Sequence, residues 1–160
     1  HRFQQYDLYM ERPAPLVGRD LRLEVTEWLA ADGSMLLPLD EADLLALVPV
    51  LKSERIEAVA ISFLHAYINP AHERRAAEIV RSIWPNRYVT AGHAIISEYR
   101  EYERGVTAAV NACIQPVLHR YLERLQSELA RRGFTHELLV MQGNGGTVSS
   151  SIVAEVADAS

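Results

Sequence analysis

One cysteine, Cys113, is the whole thiol content of these 160 residues, so no disulfide can form within the chain. A fold without cross-links must rest on its packed core, and a cytoplasmic address is favoured. No apolar run approaches the length of about eighteen residues that a membrane span needs. The start, His1-Arg2-Phe3-Gln4-Gln5, lacks the apolar stretch of a signal peptide, and it also lacks an initiating Met, so the chain is expected to have been cut or truncated. Dense basic blocks are missing as well. The net charge is −5, and Arg74-Arg75 and Arg131-Arg132 are set among acids as solvated helix faces, which argues against a nucleic-acid partner. Neither a Gly-x-Ser-x-Gly nucleophile nor a Walker loop occurs.

What is present is the profile of one globular domain, 49% hydrophobic and 23% charged, large enough to bury a core. Residues 1–20 read as an irregular arm bearing Tyr6, Tyr9, Pro13 and Pro15. Leu21 to Trp28 alternates apolar and polar, and Ala31-Asp32-Gly33-Ser34 is a turn signal, so Met35 to Leu39 is expected to return as the second arm of a hairpin. Asp40 reads as the N-cap of a helix to about Arg55, which Pro49 should kink or split. Ile56 to Leu64 reads as a buried central strand. A helix follows from Pro70 through Ile83, capped by Asn69, and Tyr88-Val89-Thr90 begins another strand. From about Glu98 to Arg132 a long helical pattern carries Val106, Val110, Ile114, Val117, Tyr121, Leu125 and Leu129 at steps of three and four, the expected core face. Pro116 should kink it and Gly133 should close it, and residues 137–142 form a last strand. Helices alternating with strands predict an α/β fold.

Four places could carry chemistry. His65 follows a buried strand, where ligands sit in open parallel sheets, with Asn69 and His72 nearby. The alternatives are a histidine bonded to its own loop and an asparagine that only caps a helix. The seven-residue step from His65 to His72 is not a metal-ligand pattern, and no metal site is predicted. Ser97 to Arg104 is dense in charge and aromatic rings; an arginine at a helix start can grip an anion, or the run can be a salt-bridged first turn. Asn111 interrupts the helical stripe, and a buried amide there needs partners. Lastly, Met141-Gln142-Gly143-Asn144-Gly145-Gly146-Thr147 follows an apolar run and precedes a segment that can turn helical, the place of phosphate-binding turns in α/β proteins.

Read together, these segments resemble one family. Leu64-His65-Ala66-Tyr67-Ile68-Asn69-Pro70-Ala71-His72-Glu73 is similar to the "LHSYxNPxHE" stretch of the hydantoinase A / 5-oxoprolinase family. Glu101-Tyr102-Glu103-Arg104 with Thr107, Asn111, Pro116 and Tyr121-Leu122 resembles its "EYERxxTxxxNAxxxPxxxxYL" segment, and residues 141–146 resemble its "MQSNGG" turn with Gly143 in place of Ser. The resemblance implies an ATP-dependent enzyme, using ATP and Mg2+, that opens a small cyclic amide by phosphorylating its oxygen so that water can attack the carbon. It implies part of an actin-like / sugar-kinase-like ATPase fold, with residues 1–96 ending an N-terminal domain and 97–160 starting the main domain. His65, Glu103, Arg104, Asn111, Asn144, Gly145 and Gly146 become the cleft candidates. A hydantoinase B-type subunit is the implied partner, with a homo-oligomer possible in addition.

The family's Asp-x-Gly-Gly-Thr and Ser-Gly-Pro-Ala-Gly stretches do not occur here. The chain is therefore expected to be an internal piece of a larger subunit, inactive alone and without a bound cofactor. Ketone carboxylase subunits share the resemblance, and a non-catalytic docking module is the other alternative.

Overall fold

The computed structural model describes Tyr9, residues 14–141 and residues 146–150. After a short 3-10 turn at Arg19–Leu21, the first strand, β1 (Trp28–Leu29), pairs antiparallel with β2 (Met35–Leu37). The expected hairpin is there, but much of its first arm is not sheet. The Thr26 amide instead donates to Asp43 Oδ2 at 2.8 Å and the Thr26 carbonyl accepts from the Asp40 amide at 2.8 Å, so residues before β1 are bound to the following helix. The turn is set by Asp32 Oδ1, which takes the Ser34 amide at 2.9 Å and its hydroxyl at 2.6 Å, while Gly33 supplies a φ of +83°.

Helix α1 (Glu41–Ser53) starts as the sequence predicts: Asp40 Oδ1 accepts from Ala42 N and Asp43 N, both at 3.0 Å. Pro49 lies inside it without splitting it. Strand β3 (Val59–Ile61) leads through a loop to α2 (Ala71–Ile83), where Asn69 Oδ1 accepts from Ala71 N at 3.1 Å. Strand β4 (Val89–Ala91) lies parallel to β3, with Val59, Ala60 and Ile61 opposite Val89, Thr90 and Ala91. A single helical turn, α3 (Gly92–Ile95), separates β4 from the long helix α4 (Glu101–Arg131).

Alternation along β4 sorts the layers. Val89 and Ala91 join Ile61, Leu44, Val48 and the α2 residues Ala76, Ala77 and Val80 in one buried cluster. Thr90 faces the other way, toward α4, whose Ala108 and Ala112 are buried against that side. Alanines let the helix axis approach the strands closely. The fold is thus mixed α/β, a parallel pair held between α1–α2 and α4. Pro116 does not interrupt α4, and Gly133, at φ +88°, closes it with its amide on Ala130 O at 3.0 Å.

Two expectations fail. The stripe at Val106, Val110, Ile114, Val117 and Tyr121 does not face the core; these side chains are 40–61% exposed, and the buried face of α4 is the opposite one. Periodicity showed that one face is apolar without showing what covers it. The glycine turn at 142–146 does not lead from a strand straight into a helix. It joins β5 (Leu139–Met141) to an antiparallel β6 (Thr147–Ser149), where Thr147 and Val148 favour extended backbone. Gly143, Asn144 and Gly145 lie outside the described residues. Among the described residues no helix is long and apolar enough to cross a membrane.

Asp40→Ala removes the acceptor for two α1 amides and should cost about 1 kcal/mol of stability in denaturant titration. Acid should act on the same helix through Glu41. Its bidentate contact with Arg75, at 2.7 and 3.0 Å, holds its carboxyl below the usual glutamate range. A lowered folded-state pKa gives stability that is present at neutral pH and is lost as pH falls through that lowered value. Wild type should therefore exceed Glu41→Gln in melting temperature near neutral pH by a margin that closes below about pH 4; a margin independent of pH would contradict this.

Candidate functional site

The carboxyl ends of β3 and β4 are where an open parallel pair offers a ligand-binding edge. Two buried charges organise it. Glu73, in the first turn of α2, has no solvent exposure. Its Oε1 accepts from the Phe63 amide at 2.7 Å, and its Oε2 accepts from the His93 amide at 2.7 Å and contacts His93 Nδ1 at 2.9 Å. One carboxylate therefore ties the chain leaving β3 to the chain leaving β4.

Arg104, in the first turn of α4, is also fully buried. Its Nη1 donates to Glu98 O at 3.1 Å and its Nη2 to Phe63 O, while its guanidinium carbon lies 5.9 Å from the Tyr67 ring centroid. Phe63 is thus held from both sides, its N–H by an anion and its C=O by a cation. A methyl group on Gly92 would stand 3.4 Å from Glu73 Oε1 and 3.5 Å from Arg104 Cγ, so the two side chains flank one point.

His65 sits on the loop this clamp fixes. Its φ of +56° is uncommon for a residue with a Cβ. Its carbonyl accepts from Ile68 N at 3.0 Å and Asn69 N at 3.1 Å, and its ring centroid is 6.3 Å from that of Tyr67. Asn69 caps α2 and also donates to Gly33 O at 2.8 Å, so the β1–β2 turn abuts the same loop. His72 is turned inward, with Nδ1 2.7 Å from Glu27 Oε2. Among the described residues no group of three or more His, Cys, Asp or Glu side chains could hold a metal ion.

Of the sequence candidates, His65 and Arg104 are brought together across Tyr67. Asn111 is two helical turns along α4 from Arg104, on the same inward side, and donates to Thr90 Oγ1 at 3.1 Å. Glu103 points the other way, half exposed and 3.2 Å from Arg100. Gly146 is exposed in the β5–β6 connection. The base of that hairpin is tied to α4 by Gln126 and Ser150, about 33 Å of helix from Arg104. Asn144 and Gly145 lie outside the described residues.

Sequence reasoning missed Glu73 and His93. The signal for Glu73 was its register: it shares the buried face of α2 with Ala76, Ala77 and Val80, a place where an acid needs a specific partner. Arranged this way, Arg104 is spent on the main-chain carbonyls of Glu98 and Phe63, and the His93 ring is held by Glu73. Glu73→Ala leaves the Phe63 and His93 amides without their acceptor, and should cost about 3 kcal/mol. Glu73→Gln should recover only part of this; a loss below about 1 kcal/mol for the alanine variant, by chemical denaturation, would contradict the clamp.

Comparison with known proteins locates this arrangement in a family. The chain is 40% identical over 88% of its length to an uncharacterized protein of Methanocaldococcus jannaschii, of which it covers 21%. It is 36% identical to the caprolactamase alpha subunit of Pseudomonas jessenii. The crystal structure of that ATP-dependent caprolactamase superposes with a TM-score of 0.86 over 94% of this chain and 22% of that one. Identity to the acetophenone carboxylase gamma subunit of Aromatoleum aromaticum is 32%, over 85% of this chain and 19% of that subunit. The chain thus spans about a fifth of the length of these relatives. Residues 1–84 match the hydantoinase/oxoprolinase N-terminal region and residues 104–159 match hydantoinase/oxoprolinase, so the chain belongs to the hydantoinase/oxoprolinase family.

Proposed function

We propose that this chain is the junction segment of an A-type subunit that opens a cyclic amide, of the hydantoin or lactam kind, at the expense of ATP. The observation that carries the reading is the likeness to the caprolactamase, 36% identical and alike in fold over 94% of this chain. In this reading residues 1–96 close the N-terminal domain and residues 97–160 open the main domain of an actin-like ATPase fold, in a cytoplasmic enzyme. The clamp at Phe63 holds His65 and the start of α4 at the mouth of the cleft, and the turn at Asn144 to Gly146, whose hairpin is tied to α4 about 33 Å of helix away, lines a separate part of the enzyme's cleft. The partner is a hydantoinase B-type subunit, and a homo-oligomer of the pair is compatible with the same reading.

A lactam resists water because its nitrogen lone pair is delocalised into the carbonyl. Phosphorylating the carbonyl oxygen makes the carbon electrophilic; water adds to it, the ring C–N bond breaks as the nitrogen takes up a proton, and hydrolysis of the resulting acyl phosphate leaves the ring-opened acid and phosphate. Among the described residues no group of three or more His, Cys, Asp or Glu side chains could hold a metal ion, and Arg104 binds Phe63 O and Glu98 O. No step of the reaction is therefore routed through them.

A second reading, an ATP-dependent ketone carboxylase subunit, draws on the 32% identity to the acetophenone carboxylase subunit. Purifying the longer polypeptide with its B-type partner and following ADP release against lactams, hydantoins and 5-oxoproline separates the two. Ring opening coupled to ADP release is expected. Bicarbonate-dependent consumption of a ketone, with every cyclic amide left intact, would overturn the proposal in favour of the carboxylase. The 160-residue chain alone should release no ADP. Asn144→Ala should lower kcat/KM in the complete enzyme; unchanged kinetics would leave that turn a structural role only.

A further inference from the structure

The outer face of α4 is the least explained surface of the molecule. Val106, Val110, Ile114, Val117 and Tyr121 form a line about 22 Å long. Ile114, Val117 and Tyr121 are 53%, 61% and 60% exposed. The opposite face already packs on β3 and β4 through Arg104, Ala108 and Ala112, so the helix has a full complement of neighbours on one side and an apolar ridge on the other. Contiguous apolar surface of this kind is not a neutral feature of a protein exterior. Charged side chains bound it at both ends, Glu103 before Val106 and Arg124 after Tyr121, as at the rim of an interface.

We propose that this ridge is an intramolecular seam: it is covered by an apolar element of the same polypeptide from outside residues 1–160, and not by a partner subunit or a second copy. The proposal rests on the reading of this chain as a segment of a longer subunit. Its argument is length. In the caprolactamase the matching region is 22% of one chain, with the same fold at a TM-score of 0.86, so four-fifths of that polypeptide stands available to pack against it. The branched side chains of the ridge, set at steps of four and three, suit a helix or sheet face laid along α4. Burial there also accounts for a long helix that carries an apolar ridge on the side away from β3 and β4.

Cys113 provides the probe. It is exposed and lies beside Val110 and Val117 on the helix surface, three and four residues away. Its alkylation by a maleimide, read by peptide mapping, is compared in the 160-residue chain and in the longer polypeptide purified without partner subunits. The proposal expects labelling at least tenfold slower in the longer polypeptide at every protein concentration. Equal rates overturn it. Protection that appears only with the B-type subunit, or that dilution removes, also overturns it, in favour of a subunit interface or a second copy.

Val110→Glu with Val117→Glu gives an independent reading. Glutamate suits an exposed helix at least as well as valine. The pair should leave the melting temperature of the 160-residue chain unchanged and lower that of the longer polypeptide; an equal effect on both contradicts the seam. Ring-opening activity is scored separately, so Cys113 protection in a polypeptide without that activity would sink the functional reading and leave the seam standing.

Discussion

The peptide of Phe63 is held by two ions of opposite sign, and the rest of the site depends on that. The carboxylate of Glu73 takes its N–H and the guanidinium of Arg104 takes its C=O. Each ion also reaches a second segment, Glu73 to the His93 turn and Arg104 to Glu98, so β3, β4, α2 and α4 meet at one buried point. Charges this deep in a protein are tolerable only when paired and hydrogen-bonded. Here much of the pairing is to main chain, which fixes where the loop bearing His65 leaves the sheet.

The same helix that brings Arg104 inward turns an apolar ridge outward. These two faces explain why the fold is thin around its parallel pair. Two strands, with helices on both sides, form a small core, and α4 closes one side of it with the small Ala108 and Ala112 and the buried Arg104. A chain that spans about a fifth of its relatives has no reason to bury every apolar face within its own length. The likeness to the caprolactamase covers 94% of this chain and 22% of that one.

Much of the fold was legible in the sequence because local signals agree. Asp40 and Asn69 precede helices and their side chains do accept the first amides, and Gly133 ends α4 with a positive φ; the run Ile56 to Leu64, expected as a buried central strand, forms only the three-residue β3, of which Ile61 alone is buried. The site was less legible. Glu73 has the look of an acid placed to favour a helix start, and only its register on the buried face of α2 distinguishes it from a solvated one. Arg104 was recognised as a candidate, but its burial on two carbonyls depends on Phe63 and Glu98, which no local pattern pairs with it. The stripe on α4 was read in the right place and with the wrong neighbour, since a hydrophobic period does not say whether the covering partner lies in the same stretch of chain.

Native-state hydrogen exchange at the Phe63 and His93 amides tests the clamp most directly, because both donate to the Glu73 carboxylate. The account predicts that both exchange only through the largest opening reactions of the chain, alongside Val89 in β4, and that Glu73→Ala turns both into fast exchangers together. Exchange at Phe63 as rapid as at the exposed 31–34 turn, with Glu73 intact, would contradict it.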